Sequence, residues 1–255
     1  MKKILLLILL LLSLSGCSKK DIDKIENLVN TIEEIKEVVK DSQQTSDDSK
    51  RYVNGVNLED VEFNGSSYAV VNGGIPFFDE LTIEEFEEYS NLDYLGRPQI
   101  AFANISPETL PTEERGSIAN VKPVGWHTYN TKELWNQVLP DNTFYVYNRC
   151  HLIAFSLAGE NANELNLITG TRYLNMNMTD FEEEVRNYVQ KTGNHVMYRV
   201  TPIYKEDELV ARGVLMEAKS VETNDVEFCV YLFNVQMLED GTMLNIDYKT
   251  GEVVE

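Results

Sequence analysis

A stretch in the second half of the chain contains residues suited to phosphate chemistry. It begins at Asn148-Arg149-Cys150-His151 and continues through Asn166 and Asn175 to Glu182 and Arg186. Histidine titrates close to neutral pH, so it can take a proton from water as a general base. Mg²⁺ prefers oxygen ligands and commonly takes only one or two from the protein while it keeps several waters. The stretch therefore predicts hydrolysis of a phosphodiester bond assisted by one metal ion.

Individual residues in this stretch have separate candidate roles. His151 can serve as the general base, and the amide oxygen of Asn175 can bind the metal ion. Planar guanidinium groups match the geometry of phosphate oxygens, and the stretch carries Arg149, Arg172 and Arg186. These residues predict an anion-binding site in an otherwise acidic chain.

The stretch resembles the DNA/RNA non-specific endonuclease family of the ββα-metal type, most closely its secreted streptococcal-like nucleases and the nucleases of DNA uptake. The family signature is Asp-Arg-Gly-His, and this chain has Asn148-Arg149-Cys150-His151 in its place. The resemblance implies that His151 is the general base and that Arg149 keeps the role of the family arginine. The family places an Asn-Ile-Thr-like element nine residues before its metal-binding asparagine, and Asn166 precedes Asn175 by that spacing.

The resemblance also implies roles for residues after Asn175. Phe181-Glu182 and Arg186 reproduce a hydrophobic residue, a glutamate and an arginine of the family, so Glu182 would orient water on the metal ion and Arg186 would contact phosphate. Each has a second interpretation. Thr179-Asp180-Phe181-Glu182 is also a capping box that opens a helix, and Arg186 has the spacing of a helical ion pair with Glu182.

The resemblance extends from about Tyr52 to about Val235, with two departures in the signature. The amide oxygen of Asn148 can still accept a hydrogen bond that orients His151. Cys150 stands where the family has glycine, so we expect its side chain to fit a turn that elsewhere tolerates positive φ. Upstream similarity lies in Leu95–Pro98, Ala101–Ile105, Pro111–Gly116, Gly125-Trp126 and Tyr147–Leu152.

The expected cofactor is Mg²⁺, for which Mn²⁺ can substitute. Neither His127 nor His195 lies at a catalytic spacing. A zinc site has little support, because the sequence has three histidines and no Cys-x-x-Cys or His-x-x-x-His pair.

The amino terminus predicts a lipoprotein signal peptide over residues 1–16. Lys2-Lys3 precede an apolar run from Ile4 to Leu12, which is short for a membrane span. Leu14-Ser15-Gly16-Cys17 resembles a bacterial lipobox, in which Cys17 receives the lipid. Lipid chains anchor in proportion to the methylenes they bury, so we expect a protein held at the extracellular face of the bacterial cell membrane. The alternative is plain secretion with an incidental cysteine.

Residues 17–50 are predicted to form a lipidated tether. Apolar residues recur at a and d spacing over too few heptads for a coiled coil, which favours a short amphipathic helix. A polar run follows at 41–49 and is typical of a flexible linker. The apolar positions are Ile25, Leu28, Ile32, Ile35 and Val39.

Residues 51–255 are long enough for one domain with a sizeable core, and we expect the endonuclease domain there. The patterns predict an α+β fold of the ββα-metal nuclease type, an antiparallel sheet flanked by helices. Predicted strands lie at Ser67–Asn72, Phe144–Tyr147, Val196–Tyr204, Leu209–Val221 and Phe228–Gln236. Predicted helices lie at Thr82–Tyr89, Thr131–Val138 and Thr179–Lys191, the last ended by Gly193.

Net charge limits the mode of nucleic-acid binding. Residues 51–255 contain 14 basic and 33 acidic side chains, a net charge of −19. Such a surface repels nucleic acid at long range, which argues against tight, extended DNA binding. A nuclease with this charge requires its positive potential to be confined to the cleft. We expect a monomer. Cys150 and Cys229 are the thiols that remain after lipidation, and their pairing stays open.

Two other functions are compatible with the sequence. One is a lipoprotein that keeps the nuclease fold with weakened catalysis and binds nucleic acid, for example in DNA uptake, for which Asn148 and Cys150 are the best argument. The other is an adhesion or solute-binding lipoprotein, which the lipobox and the acidity alone would permit. Retention of His151, Asn175 and Glu182 favours the enzyme, because a pure binder needs no general base. The preference between DNA and RNA stays open.

Overall fold

A computed structural model describes residues 52, 53 and 55–254. The predicted signal peptide, Cys17 and the tether lie outside these residues. The strands are β1 (Tyr52–Val53), β2 (Val56–Asn57), β3 (Tyr68–Val70), β4 (Glu87–Tyr89), β5 (Ala101–Ile105), β6 (Tyr147–His151), β7 (Leu167–Thr171), β8 (Val196–Ile203), β9 (Gly213–Ser220), β10 (Glu227–Phe233), β11 (Asn245–Asp247) and β12 (Glu252–Val254). The helices are α1 (Thr131–Trp135), α2 (Phe155–Ala158) and α3 (Arg172–Thr192), and three 3-10 turns lie at Leu58–Asp60, Asn72–Gly74 and Glu164–Asn166.

Six strands form one antiparallel sheet in the order β3-β10-β9-β8-β5-β4. Its central strands are apolar on both faces because each face covers a separate hydrophobic cluster. In β10, Phe228, Val230 and Leu232 pack in the cluster shared with α3, whereas the alternate residues Cys229, Tyr231 and Phe233 pack in the second cluster. The predicted α+β class and antiparallel sheet are confirmed.

A second antiparallel pair, β6 and β7, leads directly into α3 and makes a ββα unit. Cys150 lies inside β6 with its side chain buried, so the expected turn at this position is wrong. In the pairing Cys150 is opposite Ile168, and Gly170, which is opposite Asn148, is the diagonal neighbour that leaves room for the Cys150 side chain. A Cβ atom on Gly170 would lie 2.5 Å from the Cys150 Cβ, so the two positions accommodate one side chain between them.

Helix α3 begins seven residues before the predicted start. Thr171 caps it, with its side-chain oxygen accepting a hydrogen bond from the Leu174 N–H at 3.0 Å. Thr179 lies inside the helix and donates to the Asn175 carbonyl at 3.1 Å, so the capping-box interpretation is wrong. The predicted stop is confirmed: Gly193 adopts a φ of 73° and its N–H bonds the Val189 carbonyl.

Two other predicted elements differ from the structure. The segment Thr82–Tyr89 is not a helix; its end forms β4, whose Glu87 pairs with Ala103 of β5. The strand predicted at Phe144–Tyr147 instead runs from Tyr147 to His151. In both places, pairing with a distant strand outweighs the local pattern.

Cys150 and Cys229 are both free and buried. Cys150 belongs to the cluster between the sheet and α3, and Cys229 belongs to the cluster on the other face of the sheet. The sheet separates the two thiols, so they form no disulfide.

Candidate active site

The ββα unit brings the sequence motif together. His151 is the last residue of β6, and Asn175 lies in the first turn of α3, which follows β7 directly. The Cys150 thiol contacts the Met178 sulfur at 3.4 Å and ties α3 to β6. Because α3 packs on the strand that carries His151, residues 24 positions apart in the sequence share one region of the fold.

His151 is held in one tautomer by a backbone carbonyl. The side chain is 7% exposed, and its Nε2 lies 2.8 Å from the Asn161 carbonyl oxygen. A carbonyl can only accept, so neutral His151 carries its proton on Nε2 and has a lone pair on Nδ1. Nδ1 faces the Arg115 guanidinium, with Nη2 at 3.4 Å. Nδ1 is therefore the nitrogen available to take a proton.

The surroundings of His151 keep it neutral. Burial lowers the pKa of His151 below its ordinary value of 6.5; the hydrogen bond to Asn161 opposes this change and the charge of Arg115 adds to it. The imidazole is consequently in its basic form at neutral pH.

Glu182 lies close enough to Arg115 for their charges to interact. Burial raises the pKa of Glu182 to about 8, the charge of Arg115 opposes that rise, and Glu183 adds to it. Without a cation the Glu182 carboxyl is largely protonated at neutral pH. A nearby cation would reverse this balance, because it favours the charged carboxylate.

Asn175 offers an uncommitted amide. The residue is half-buried, and its side chain makes no hydrogen bond with any residue that the structure describes, although its backbone carbonyl accepts from Thr179. Asn175 and Glu182 are seven residues apart on α3, which places them on one face about 10 Å apart along the axis. One ion at the Asn175 oxygen would thus be reached by Glu182 through water.

The donor set fits a hard cation that keeps most of its waters. Among residues 55–254, no group of three or more histidine, cysteine, aspartate or glutamate side chains could hold a metal ion. Mg²⁺ does not require such a group, since one or two protein oxygens suffice. Asn175 and, through water, Glu182 can supply them.

Arg149 binds the segment 119–126 through its guanidinium group. Its Nη2 donates to the Ala119 carbonyl at 2.9 Å, its Nε donates to the Val121 carbonyl, and its guanidinium lies 4.3 Å above the ring of Trp126. Nη1 makes no hydrogen bond with a described residue. Arg149 therefore positions the segment 119–126 and retains one nitrogen for a ligand.

Arg186 pairs with a different glutamate than the spacing predicted. Its Nη2 lies 3.5 Å from Glu183, whereas the alternative ion pair with Glu182 is not formed in the described part of the chain. Its Nε is buried and has no partner among these residues. The Nε–H of Arg186 is therefore available to donate to a ligand.

Asn166 supports the backbone after β6, whereas Asn148 does not make the expected hydrogen bond with His151 among the described residues. Asn166 is fully buried, and its amide accepts from the Ile153 N–H at 2.8 Å and donates to the Ile153 carbonyl at 2.9 Å. Both polar atoms are used, so Asn166 shapes the loop after β6 and has no oxygen to offer a metal ion in place of Asn175. Asn148 makes no hydrogen bond with His151 in the described structure, because the Asn161 carbonyl orients that ring. The Nδ2 of Asn148 is buried without a partner.

A cleft of about 500 Å³ adjoins these residues. Arg172 lines it and pairs with Asp141 at 2.6 Å. His127 also lines the cleft, with its Nε2 3.1 Å from the Thr250 carbonyl, whereas His195 pairs with Glu222 at 2.6 Å. Other lining residues include Arg115, Trp126, Tyr129, Tyr145, Tyr147, Asn148, Arg149 and Asn175.

Sequence reasoning missed Arg115 and Asn161. Arg115 contacts the base nitrogen of His151 and influences Glu182, and Asn161 sets the tautomer. The only signal for Arg115 was the similarity of Pro111–Gly116 to secreted nucleases. Asn161 acts through its backbone carbonyl, so its side chain gave no signal.

The chain belongs to the DNA/RNA non-specific endonuclease family, whose sequence model matches residues 80–222. It is a nuclease. A comparison with curated proteins found no significant match to this chain. The motif of the prokaryotic membrane lipoprotein lipid attachment site matches residues 1–18. In the described part of the chain, no helix is long and apolar enough to cross a membrane.

Solved nucleases share this fold. NucA from Streptococcus agalactiae with magnesium ion bound is 25% identical, with a TM-score of 0.61; the match covers 74% of this chain and 88% of NucA. The Sda1 nuclease with bound zinc ion is 26% identical, with a TM-score of 0.54, over 67% of this chain and 80% of Sda1. These similarities support endonuclease activity and the ββα-metal fold.

Proposed function

We propose that this protein is a Mg²⁺-dependent, sequence-non-specific endonuclease that hydrolyses DNA, and RNA if it is presented, with His151 as the general base. The observation that carries the proposal is the hydrogen bond between His151 Nε2 and the Asn161 carbonyl, which leaves Nδ1 with its lone pair. In the reaction, water attacks phosphorus as Nδ1 takes its proton. The bond from phosphorus to the leaving oxygen breaks, and that oxygen takes a proton from solvent.

Asn175 would hold the metal ion directly and Glu182 through water. The ion, when bound, supplies positive charge against the phosphorane-like transition state. The magnesium in NucA supports Mg²⁺, while the zinc in Sda1 belongs to a relative and leaves the choice of metal to experiment. Arg115, with Arg149 Nη1 and Arg186, is the candidate to contact phosphate, because it is exposed and lies at the base nitrogen.

Plasmid degradation with and without EDTA tests the activity, and His151→Ala tests the base. Loss of a general base costs on the order of 10² to 10⁴ in rate. His195→Ala is the matched control, because His195 pairs with Glu222 and not with the site. Retention of more than about a tenth of the activity by His151→Ala would assign the base elsewhere.

Titration of activity with Mg²⁺ and Mn²⁺ tests the ligand. Asn175→Ala should require about tenfold or more metal, and Asn175→Asp should bind metal but change the charge of the site. Asn177→Ala is the control, because that amide donates to the Tyr173 carbonyl on the same helix. An unchanged metal requirement in Asn175→Ala would exclude Asn175 as a ligand.

We further propose that residues 51–255 form the nuclease domain and that lipid on Cys17 anchors it to the extracellular face of the cell membrane. The attachment-site match at residues 1–18 supports the anchor. Cys17→Ala should move the protein from the detergent phase to the aqueous phase. Equal partitioning of the two proteins would refute the anchor.

A further inference from the structure

Several aromatic side chains line the cleft beside Asn175, and one of them, Tyr145, has an exposed ring. Trp126 is covered by the Arg149 guanidinium, and Tyr147 is buried with its hydroxyl donating to the Gly251 carbonyl at 2.9 Å. Tyr145 is 49% exposed and makes no side-chain hydrogen bond with a described residue. Its ring neighbour is Phe144, at 4.9 Å between centroids and 37% exposed.

The backbone under Tyr145 is held firmly even though its ring is open to solvent. Tyr145 forms a β-bridge with Asn130, and on either side Thr131 donates to the Phe144 carbonyl at 2.8 Å and Val146 donates to the Tyr129 carbonyl at 3.2 Å. Removing exposed aromatic surface from water is favourable, so a flat apolar group that covers this ring would be stabilised. The ring is therefore a preorganised platform inside the cleft.

The net charge of the domain limits which kind of nucleic acid can stack on the Tyr145 ring. With a net charge of −19 over residues 51–255, the domain gains little from a long tract of duplex backbone. Stacking of a base on an aromatic ring does not depend on the charge of the protein, and it is tolerant of sequence because every base has a flat face. Bases in a duplex have both faces covered by their neighbours, whereas an unpaired base is free to stack.

We propose that Tyr145 forms a base-stacking subsite of the nuclease centre, so that an unpaired strand is the preferred substrate over duplex. Arg149 lines the same cleft, and its Nη1 can donate to a flanking phosphate. This inference rests on the proposed function, because it places the base beside the phosphate that His151 and Asn175 act upon.

Cleavage of one oligonucleotide, single-stranded and in duplex, tests the preference. Wild type should have the higher kcat/KM on the single strand. Tyr145→Ala should lower that value about tenfold or more and change duplex cleavage by no more than about twofold. Tyr145→Phe should retain the preference, and Tyr145→Leu, which keeps apolar bulk without a flat ring, should lose it. Tyr94→Ala is the control, because Tyr94 is 74% exposed and does not line the cleft.

A binding measurement separates this inference from the nuclease proposal. His151→Ala protein should quench 2-aminopurine in an unpaired oligonucleotide, and the added change Tyr145→Ala should abolish the quenching. If wild type cleaves no nucleic acid with any divalent metal but quenching depends on Tyr145, the proposed catalysis fails and the subsite stands. Equal loss on both substrates in Tyr145→Ala, equal cleavage of both by wild type, or quenching unaffected by Tyr145→Ala would overturn the subsite.

Discussion

The chemistry of His151 is decided by two neighbours that bind its two ring nitrogens. The Asn161 carbonyl holds the proton on Nε2, and Arg115 faces Nδ1. A guanidinium cannot accept a proton, so it leaves Nδ1 basic while its charge disfavours the imidazolium. An incoming phosphate would attract Arg115 away from Nδ1, which would free that nitrogen for water.

The activity should depend on pH through His151. The base must be neutral, so kcat/KM falls as pH drops through the His151 pKa, which burial and Arg115 hold below 6.5. Arg115→Gln removes the charge and should move this acidic limb to higher pH. A pH profile of both proteins, with Lys132→Gln as an exposed control, measures the shift. A wild-type limb above about pH 6.5, or one that Arg115→Gln leaves in place, would contradict the assignment.

Glu182 should make stability depend on pH in the metal-free protein. Its pKa is about 8 in the folded state against 4.5 for an exposed glutamate, so the folded state binds the proton more tightly. The stability that the folded state gains by binding this proton is fully present below about pH 4.5 and is lost as pH rises through about 8. Glu182→Gln should match wild type near pH 5 and be more stable near pH 8, by an amount on the order of a few kcal/mol.

Thermal unfolding in EDTA at the two pH values measures the Glu182 effect. Glu252→Gln, an exposed carboxylate in β12, should show no such difference. The Glu182→Gln protein should also lose activity in Mg²⁺ although its fold is more stable. Equal unfolding temperatures of Glu182→Gln and wild type near pH 8 would show that Glu182 is not buried as an acid.

At the scale of elements, the start of α3 controls the site, because Asn175 lies in its first turn. Thr171 accepts from the Leu174 N–H and donates to the Val235 carbonyl at 2.7 Å, so it joins the helix start to the chain after β10. A helix that began at Thr179 would leave Asn175 in a loop. The capping box failed as a predictor because an equally good cap stands eight residues earlier, beside a strand that the local pattern did not reveal.

Thr171→Ala should destabilise the domain by about 1 to 3 kcal/mol, because it removes a cap and leaves a buried carbonyl without its donor. Thr179→Ala removes only a bond to a carbonyl within the helix and should change stability by about 0.5 kcal/mol or less. Denaturant unfolding of the two variants compares them directly. A larger loss in Thr179→Ala than in Thr171→Ala would place the helix start where the capping box predicted it.

At the scale of the molecule, the acidic surface restricts binding to a few cations in the site. Arg115, Arg149 and Arg186 are the candidates, while Arg172 is compensated by Asp141. A footprint of this size predicts a log–log slope of only about −2 to −3 for duplex affinity against salt concentration.

Binding of His151→Ala protein to one duplex across a salt series, at constant Mg²⁺, measures the slope. Arg186→Ala should flatten it by about one unit on every sequence alike, whereas Lys191→Ala, at the far end of α3, should not. A slope steeper than about −6 would require a basic surface that the described residues do not supply.

The sequence alone determined the features that depend on local chemistry. Alternating apolar residues predicted β8, β9 and β10, and Gly193 predicted the end of α3, because side-chain periodicity and positive φ act over a few residues. The resemblance of the motifs around His151, Asn175 and Glu182 to known nucleases predicted the family, which the family model confirms. The α+β class followed from the run of strands after the last helix.

Only the tertiary structure decided which atoms meet at the site. The tautomer of His151 depends on a carbonyl ten residues away in a loop, and its pKa depends on burial and on Arg115 from another loop. Asn166, which the family spacing singled out, uses both polar atoms of its side chain in hydrogen bonds to the Ile153 backbone. Contacts of this kind form where separate loops meet in the folded domain. No local sequence pattern predicts which of these loops will meet.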